Sequence, residues 1–281
     1  MDYGQANFNS DYNGGTVAIH NRGFSKGLNV QAAYTYGKAL DQASSFGTGL
    51  NVPDILNLKS LKGLADFDVR QRFSFSILWQ LPHTHSDAKW ANILLNGWQV
   101  SNITILQSGT PYSVFCNAPF SAVFNAANQV IGNTGCDFNA DGFNFDFSNA
   151  AANMHQYSGL SRSQFLKGGI FNCAVNSSGY VPLCPNTFPT PGLGVEGDLG
   201  RNTFIGPGFA NTDLSLIKTD KIPWFVGKEG AEMQIRAEFY NAFNRVNLTN
   251  VANDLTNPAT LGQATGTFPA RDIQLGIRIS F

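Results

Sequence analysis

Seven segments of the chain alternate apolar and polar residues with a period of two, which is the pattern of β-strands with one apolar face. Apolar residues in these segments recur at i+2 and not at i+3 and i+4, so a helix is predicted only around residues 88–95. The chain is therefore predicted to be all-β. The seven predicted strands span residues 16–22, 28–40, 69–81, 97–109, 210–218, 232–243 and 270–281.

Most of these segments separate an aromatic-rich apolar face from a polar face. In the third segment Phe73, Phe75 and Trp79 share one side, whereas Arg72 and Ser74 lie on the other. The sixth segment sets its apolar residues against Gln234, Arg236, Glu238 and Tyr240, with Phe243 on the apolar side. The fourth segment alternates less clearly. Such strands have one face suited to an apolar environment and one suited to water.

The connections between the predicted strands alternate in length. Because consecutive antiparallel strands place alternate connections at opposite ends, one end of the sheet carries the long links and the other the short ones. The long links are 41–68, 110–209 and 244–269; the short ones are 23–27, 82–96 and 219–231. Short turns at one end and long loops at the other are typical of outer-membrane β-barrels.

Strand length also favours a membrane barrel over a soluble sandwich. Most of the segments exceed the roughly 5–6 residues of an ordinary strand, and several apolar faces carry aromatic residues near their ends, namely Tyr34, Tyr36, Trp79, Trp98 and Phe281. A sheet in hydrocarbon must close, yet bacterial barrels have an even number of strands. We therefore predict a transmembrane antiparallel β-barrel segment of about seven long strands with long extracellular loops, forming part of a larger barrel.

Composition is consistent with this prediction. Charged residues make up 13% of the chain, about half the usual share, and the net charge of −1 gives no basic field for nucleic acid. No apolar run is long enough for a transmembrane helix. The first residues, MDYGQANFNSDYNGG, have no features of a signal peptide. We therefore expect the chain to be a piece of a longer protein.

The closing strand resembles the C-terminal insertion signal of outer-membrane β-barrels. Its apolar residues alternate to the last position, and they are Ile273, Leu275, Ile277, Ile279 and Phe281. In that family the barrel-assembly machinery recognises the last strand. The resemblance implies that these residues face lipid and that Gln274, Arg278 and Ser280 face the lumen.

Three stretches resemble the late barrel strands of Oar-like TonB-dependent receptors. They are GGTVAIHNRGFSKGLNVQAAYTYGKALD, GDLGRNTFIGPGFANTDLSLIKT and MQIRAEFYNAFNRVNL. The resemblance implies that residues 1–281 are the C-terminal part of such a barrel, with the extracellular loop 110–209, and that plug and signal peptide are absent here. The full-length receptor would bind a substrate and transport it across the outer membrane.

The same resemblance implies the partners and the location. The expected location is the cell outer membrane, and the expected partners are its lipid and the barrel-assembly machinery. The TonB complex and the plug act only in the full-length protein, the substrate is unknown, and no nucleic acid is expected. The alternatives are a soluble all-β adhesin or carbohydrate-binding module, and a small barrel that forms by oligomerisation.

The segment CDFNADGFNFD, residues 136–146, has the spacing of a calcium loop. Asp137, Asn139 and Asp141 stand at positions 1, 3 and 5, a glycine at 6, and the Phe143 carbonyl at 7. The position-12 glutamate of an EF-hand is missing, and Asp146 is its candidate replacement. The alternative is a loop whose Asp and Asn side chains bond their own backbone. No other cofactor is predicted.

Four cysteines lie in the longest loop, at Cys116, Cys136, Cys173 and Cys184. They show neither a CxxC motif nor a zinc-ligand spacing. Three pairings are possible, of which the neighbour pairing Cys116–Cys136 and Cys173–Cys184 is the simplest, and four free thiols are the alternative. Disulfides would suit an oxidising compartment.

The loop chemistry does not suggest an enzyme. The GLGVEG segment, residues 192–197, fits a nucleotide motif by spacing but follows prolines instead of a strand, and no GxSxG motif exists. Aromatic residues are dense in the same loop, which favours either packing of the loop on itself or capture of a ligand. They include Phe120, Phe124, Phe138, Phe143, Phe145, Phe147, Tyr157, Phe165, Phe171 and Tyr180.

Deletion of Phe281 from the full-length receptor is expected to impair outer-membrane insertion far more than it affects folding of the loops. The reason is that the assembly machinery reads the last strand. The amount of receptor in the outer-membrane fraction measures this effect, and normal insertion of the deletion variant would contradict the interpretation of the terminus.

Overall fold

The computed structural model describes most of the chain, and its regular elements are almost all β-strands. The described residues are 8–22, 27–44, 57–118, 121–133, 135–140, 142, 146–150, 154–157, 159–167, 170–171, 173, 184, 187–222 and 231–280. The strands are β1 (Ser10–Arg22), β2 (Leu28–Asp41), β3 (Gly63–Leu64), β4 (Gln71–Gln80), β5 (Trp98–Gln107), β6 (Pro111–Tyr112), β7 (Ala122–Phe124), β8 (Val130–Asn133), β9 (Phe204–Ile205), β10 (Phe209–Ile222), β11 (Ala231–Tyr240), β12 (Leu248–Val251), β13 (Ala264–Thr267) and β14 (Asp272–Ser280). The helices are α1 (Lys89–Leu95), α2 (Arg162–Lys167) and the 3-10 turns Leu58–Leu61 and Met154–Tyr157.

Seven long strands form one antiparallel sheet in the order β1-β2-β4-β5-β10-β11-β14. Each long strand pairs with the next long strand along the chain. The short strand β3 pairs with the C-terminal end of β2. These are the seven strands that the alternation predicts, so the all-β fold class is confirmed. Within the described residues β1 and β14 each have one long neighbour, and the sheet is not closed.

Some strand bounds differ from the predicted ones. Strand β1 begins at Ser10 and not at residue 16, because its polar residues pair with the end of β2 in the register Ser10↔Asp41. Strand β10 continues to Ile222 for the same reason, opposite Ala231 of β11. Backbone pairing needs no apolar side chain, so alternation alone misses such extensions. Strand β11 ends at Tyr240, which leaves Phe243 in the following turn.

The strand register confirms the two predicted faces. Tyr34 pairs with Phe73, Phe73 with Leu106, and Leu106 with Ala210, so one apolar row crosses four strands near their long-loop ends. Further along the sheet Ile235 pairs with Ile277 on that same apolar face. The opposite, polar face carries cross-strand rows of hydrophilic side chains, including Thr35↔Arg72↔Gln107 and Glu238↔Gln274.

Strand β5 alternates less clearly because it places polar side chains on the apolar face. The hydroxyl of Thr104 lies 3.1 Å from that of Thr212 on β10. The amide of Asn102 donates to the carbonyl oxygen of Asp213 at 3.3 Å. These polar atoms are therefore satisfied by the neighbouring strand, which lowers the cost of placing them on an apolar surface.

Helix α1 lies where the sequence predicts the one short helix. The Asn92 side chain accepts from the Ser86 backbone N–H at 2.8 Å and donates to the Ser86 carbonyl at 2.6 Å, which closes the turn before the helix. At the other end Trp98 of β5 donates from its indole to the Leu94 carbonyl at 2.7 Å. None of the helices in the described residues has the length and apolar character that crossing a membrane requires.

The long loops are tied to the sheet by Arg201. Its guanidinium forms an ion pair with Asp41 at the end of β2 and another with Asp66 at 3.1 Å, and it donates to the Leu61 carbonyl at 3.1 Å. The Arg201 side chain is 12% exposed. A Cβ atom at Gly63 would collide with the Arg201 carbonyl oxygen, so glycine is needed there. Asn202, the residue after Arg201, donates from its side-chain amide to the Leu64 carbonyl at 2.7 Å.

Replacing Arg201 by Met is expected to lower the free energy of unfolding by about 3 kcal/mol, because the Asp41 carboxylate would remain buried without its cation. Arg201→Lys should lose less, since it keeps the charge but not the branched set of donors. Urea unfolding in lipid vesicles measures both effects. The control is Arg271→Met at an exposed arginine, and an equal loss in this control would contradict the assigned role.

Candidate functional site

Two of the long loops fold together into one unit, which we call the loop cap and define as the described residues of 110–209 and 241–268. Three short strand pairs support it, namely β6–β9, β7–β8 and β12–β13. Phe115 and Asp254 form a parallel bridge, in which Phe115 donates to the Asn253 carbonyl and accepts from the Leu255 N–H. Two of the three long predicted loops, 110–209 and 244–269, are therefore parts of a single structure at the long-loop end of the sheet.

An aromatic cluster centred on Phe204 forms the core of the loop cap. The Phe204 ring lies 5.6 Å from Tyr112, 5.2 Å from Phe171 and 6.0 Å from Phe188, measured between ring centroids. Tyr157 completes the cluster at 6.4 Å. Edge-on and tilted geometries of this kind are the favourable ones for aromatic pairs.

Burial distinguishes the two interpretations of the loop aromatics. Self-packing is confirmed for five of them, which are buried: Phe138, Phe147, Tyr157, Phe165 and Phe171. Phe124 is exposed, whereas Phe120, Phe143, Phe145 and Tyr180 lie outside the described residues. These five rings therefore belong to the packed interior of the cap and stabilise it.

Two disulfides close short loops inside the cap. The bonds join Cys116 to Cys136 and Cys173 to Cys184, which is the neighbour pairing considered from the sequence. Cys116 and Cys136 are fully buried in the core. Each crosslink restricts the unfolded chain, and a loop of this size corresponds to about 3 kcal/mol of stabilisation.

The candidate calcium loop has its described carboxylates bonded to the backbone. Asp146 is fully buried and accepts hydrogen bonds from the N–H groups of Phe138 at 2.5 Å and Asn139 at 3.1 Å. Asp137 accepts from the Gly142 N–H at 3.1 Å. These contacts match the backbone-bonded alternative for this loop.

Two candidate calcium ligands, Asp141 and Phe143, lie outside the described residues, so calcium binding stays a prediction. In the part of the chain that is described, no group of three or more His, Cys, Asp and Glu side chains is placed to hold a metal ion. The GLGVEG segment is a loop in which Glu196 accepts from the Phe147 N–H at 2.6 Å. The Gly194 N–H donates to the Phe138 carbonyl at 2.7 Å, so this segment also pairs with the calcium-like segment within the cap.

Tyr112 places a phenol in the interior of the loop cap. Burial raises the pKa of its hydroxyl well above the ordinary value of a tyrosine. Among the described residues this hydroxyl has no hydrogen-bond partner. The site therefore favours the neutral phenol, and the hydroxyl itself contributes an unsatisfied polar atom to the core.

The polar face of the sheet carries separated charges. Arg236 donates to the Gln234 side chain at 2.6 Å, and Glu238 accepts from the Tyr240 hydroxyl at 3.2 Å. Arg236 and Glu238 therefore bond to their own strand neighbours, as solvated wall charges do. At its long-loop end this face adjoins the loop cap, because Phe209, which pairs with Gln107 of the polar row, packs its ring 5.0 Å from that of Phe268.

The residues of the predicted insertion signal form the outer side of β14. The side chains of Ile273, Leu275, Ile277 and Ile279 are all exposed, and that of Leu275 is 80% exposed. Each of these residues pairs with an apolar residue of β11, which for Leu275 is Ala237. Phe281 lies outside the described residues. An edge strand with an exposed apolar face needs an apolar environment around it.

Comparison with known proteins identifies that environment. A family model described as an outer membrane beta barrel domain matches residues 1–274. The chain belongs to this family. The outer membrane barrel domain therefore resides in the cell outer membrane. In barrels of this kind the apolar strand face meets lipid and the long loops are extracellular. No curated protein and no solved structure matches the chain.

Several structural residues of the outer membrane barrel domain are missed by sequence reasoning. Asn247 is one of them, because its side chain accepts from the Ala210 N–H and donates to the Ala210 carbonyl, both at 2.9 Å, at the start of β10. Asn241 similarly holds the turn through Arg245. The asparagines of NAFNRVN were the available signal, since asparagine favours turns with positive φ.

Replacing Leu275 by Arg is expected to reduce the assembled fraction of the outer membrane barrel domain strongly. A charge on the lipid face near mid-membrane costs about 2–4 kcal/mol, whereas the lumen face tolerates it. Gln274→Arg is the matched control on the same strand. Heat-modifiable migration of the full-length protein on SDS gels measures assembly, and equal behaviour of both variants would show that the faces are wrongly assigned.

Tyr112→Phe is expected to raise the free energy of unfolding by about 1 kcal/mol, because it removes a buried polar atom without a partner. The folded-state pKa exceeds the unfolded value of about 10, so the wild type loses stability as the pH rises above about 10. The variant lacks this loss.

Urea unfolding at pH 8 and pH 11 compares the wild type with this variant. Tyr12→Phe, at an exposed tyrosine, is the control. Identical pH dependence of the wild type and Tyr112→Phe would rule out a buried neutral phenol.

Proposed function

We propose that this outer membrane barrel domain is the C-terminal barrel portion of an Oar-like TonB-dependent receptor. The receptor would bind a substrate at the loop cap and transport it across the outer membrane. The observation that carries the proposal is the continuity of the folded loop cap with the polar face of the sheet. A binding unit above a hydrophilic wall is the arrangement that uptake through a barrel requires.

The composition of the polar face supports passage of a hydrated solute. Its charged residues have both signs and are spread over several strands: Arg72 on β4, Arg236 and Glu238 on β11, and Arg278 on β14. A mixed wall of this kind solvates a polar substrate without retaining one sign of charge. The proposal involves no catalytic residue.

The open sheet supports the larger barrel. Within the described residues, strands β1 and β14 each expose one unpaired side, and hydrocarbon offers no hydrogen-bond partner to backbone groups. Further strands of the full-length protein would complete the ladder at both edges, and a plug inside them would connect to the TonB complex. A barrel closed by several copies of the chain would also pair these edges.

The disulfide-bonded loop cap supports the proposed binding of a substrate. Two disulfides and the Phe204 cluster hold its shape, so its extracellular surface is pre-organised and little ordering is needed on binding. Membership of the outer-membrane family favours a receptor over a soluble carbohydrate-binding module. A surface adhesin remains the competing function, because it would use the same cap without transport.

Uptake by intact cells tests the proposal. Cells with and without the full-length gene are incubated in spent growth medium, and mass spectrometry identifies compounds depleted only by cells that carry the gene. A receptor of this type should deplete at least one compound. A protonophore should abolish its uptake while leaving surface binding unchanged, because TonB action needs an energised inner membrane.

The controls separate the receptor from an adhesin. Leu275→Arg should prevent depletion by preventing assembly, whereas Gln274→Arg should not. Depletion that is insensitive to the protonophore would contradict TonB-dependent transport. Surface binding without uptake into the cells would favour the adhesin.

A further inference from the structure

A cavity of about 590 Å³ lies between the apolar face of the sheet and the loop cap. Its floor is the cross-strand row of Tyr34, Phe73, Leu106 and Ala210. The loop cap overhangs this row with the beginning of α2 and with the turn that follows β11. The overhanging residues include Leu160, Arg162, Phe165, Arg245 and Val246.

The position of the cavity places it in the outer leaflet. Its floor belongs to the strand face that meets lipid, and the row lies near the long-loop ends of the strands. The overhang belongs to the extracellular loop cap. The cavity therefore spans the boundary between the hydrocarbon and the headgroup region, and Tyr34, which is 42% exposed, has the amphipathic ring favoured at that depth.

The charges at the rim have one sign. Arg162 and Arg245 are both exposed, and within the described residues neither guanidinium takes part in an ion pair. Among the residues that the structure describes, no aspartate or glutamate lines the cavity. Guanidinium groups bind phosphate oxygens through parallel N–H donors, so this rim is complementary to a phosphate.

A second apolar groove on the same face shows the opposite arrangement. It lies under α1 at the short-link end of the sheet and is lined by Trp90, Leu94 and Trp98. Its cation, Lys218, donates to both carboxylate oxygens of Asp220 at 2.6 Å. Of the described residues that line it, none is a cation without an ion-pair partner, whereas the described lining of the cavity under the loop cap includes two.

We propose that the cavity under the loop cap binds a phosphate-bearing lipid of the outer leaflet. One acyl chain lies along the floor formed by Phe73 and Leu106. The headgroup phosphate accepts hydrogen bonds from Arg162 and Arg245. The bound lipid joins the loop cap to the strand face and fills the space that separates them. This site is distinct from the lumen path of the proposed transport function.

Lipid binding is measured on the full-length protein purified from outer membranes in a non-ionic detergent. The probes are dipalmitoyl phosphatidic acid and dipalmitoylglycerol, which share their acyl chains and differ in the phosphate. Native mass spectrometry gives the ratio of bound to free protein for each. We expect phosphatidic acid to bind at least about tenfold more tightly, since charge-assisted hydrogen bonds exceed about 1.4 kcal/mol together.

The double variant Arg162→Ala with Arg245→Ala should lose this preference. The matched control removes two exposed lysines outside the cavity, as Lys59→Ala with Lys62→Ala, and should keep it. Leu106→Trp is the second test, because it fills the floor without changing charge and should weaken the binding of both lipids. Leu106→Trp also tests the proposal if the double arginine variant fails to reach the folded, heat-modifiable form.

Three results would overturn the proposal. The first is equal binding of both lipids by the wild type, which indicates unspecific annular lipid. The second is an unchanged preference in the double arginine variant. The third is complete displacement of phosphatidic acid by inorganic phosphate, which indicates a site for the free anion. Retained preference in the lysine control together with its loss in the arginine variant supports the site.

Discussion

Backbone hydrogen bonding between neighbouring strands is the constraint on which this structure depends, because hydrocarbon offers no other partner to N–H and C=O groups. The seven long strands satisfy it in one antiparallel order along the chain. Pairing in register then places alternate residues on a common face, so one face becomes apolar and the other polar. Even the polar exceptions, Asn102 and Thr104, are bonded to β10.

The loop cap is stabilised by a different interaction. It projects beyond the sheet, and its order depends on packing around Phe204 and on two disulfides. Ordering a connection as long as 110–209 costs much conformational entropy, and these interactions offset that cost. Arg201 links the two parts by joining the end of β2 to the cap through charged and backbone partners. The sheet and the cap are therefore stabilised separately and positioned by a small polar network.

The meeting of sheet and cap creates two distinct surfaces at the extracellular end. On the inner side the polar face of the sheet continues from the cap, which suits a hydrated solute. On the outer side the cap overhangs the lipid face, which produces an apolar floor with Arg162 and Arg245 at its rim. One structural junction thus connects the proposed transport path with the proposed lipid site.

The sequence by itself determined the all-β class, the seven strands and the face of most strand side chains, because alternation with a period of two is a local property of a strand. It did not determine the extended ends of β1 and β10, whose polar residues pair with the neighbouring strands. Only the tertiary structure decided the partners of Arg201, which lie up to 160 positions away, and the cavity that joins Arg162 to Leu106. Such contacts depend on how distant segments meet, and no local pattern encodes that meeting.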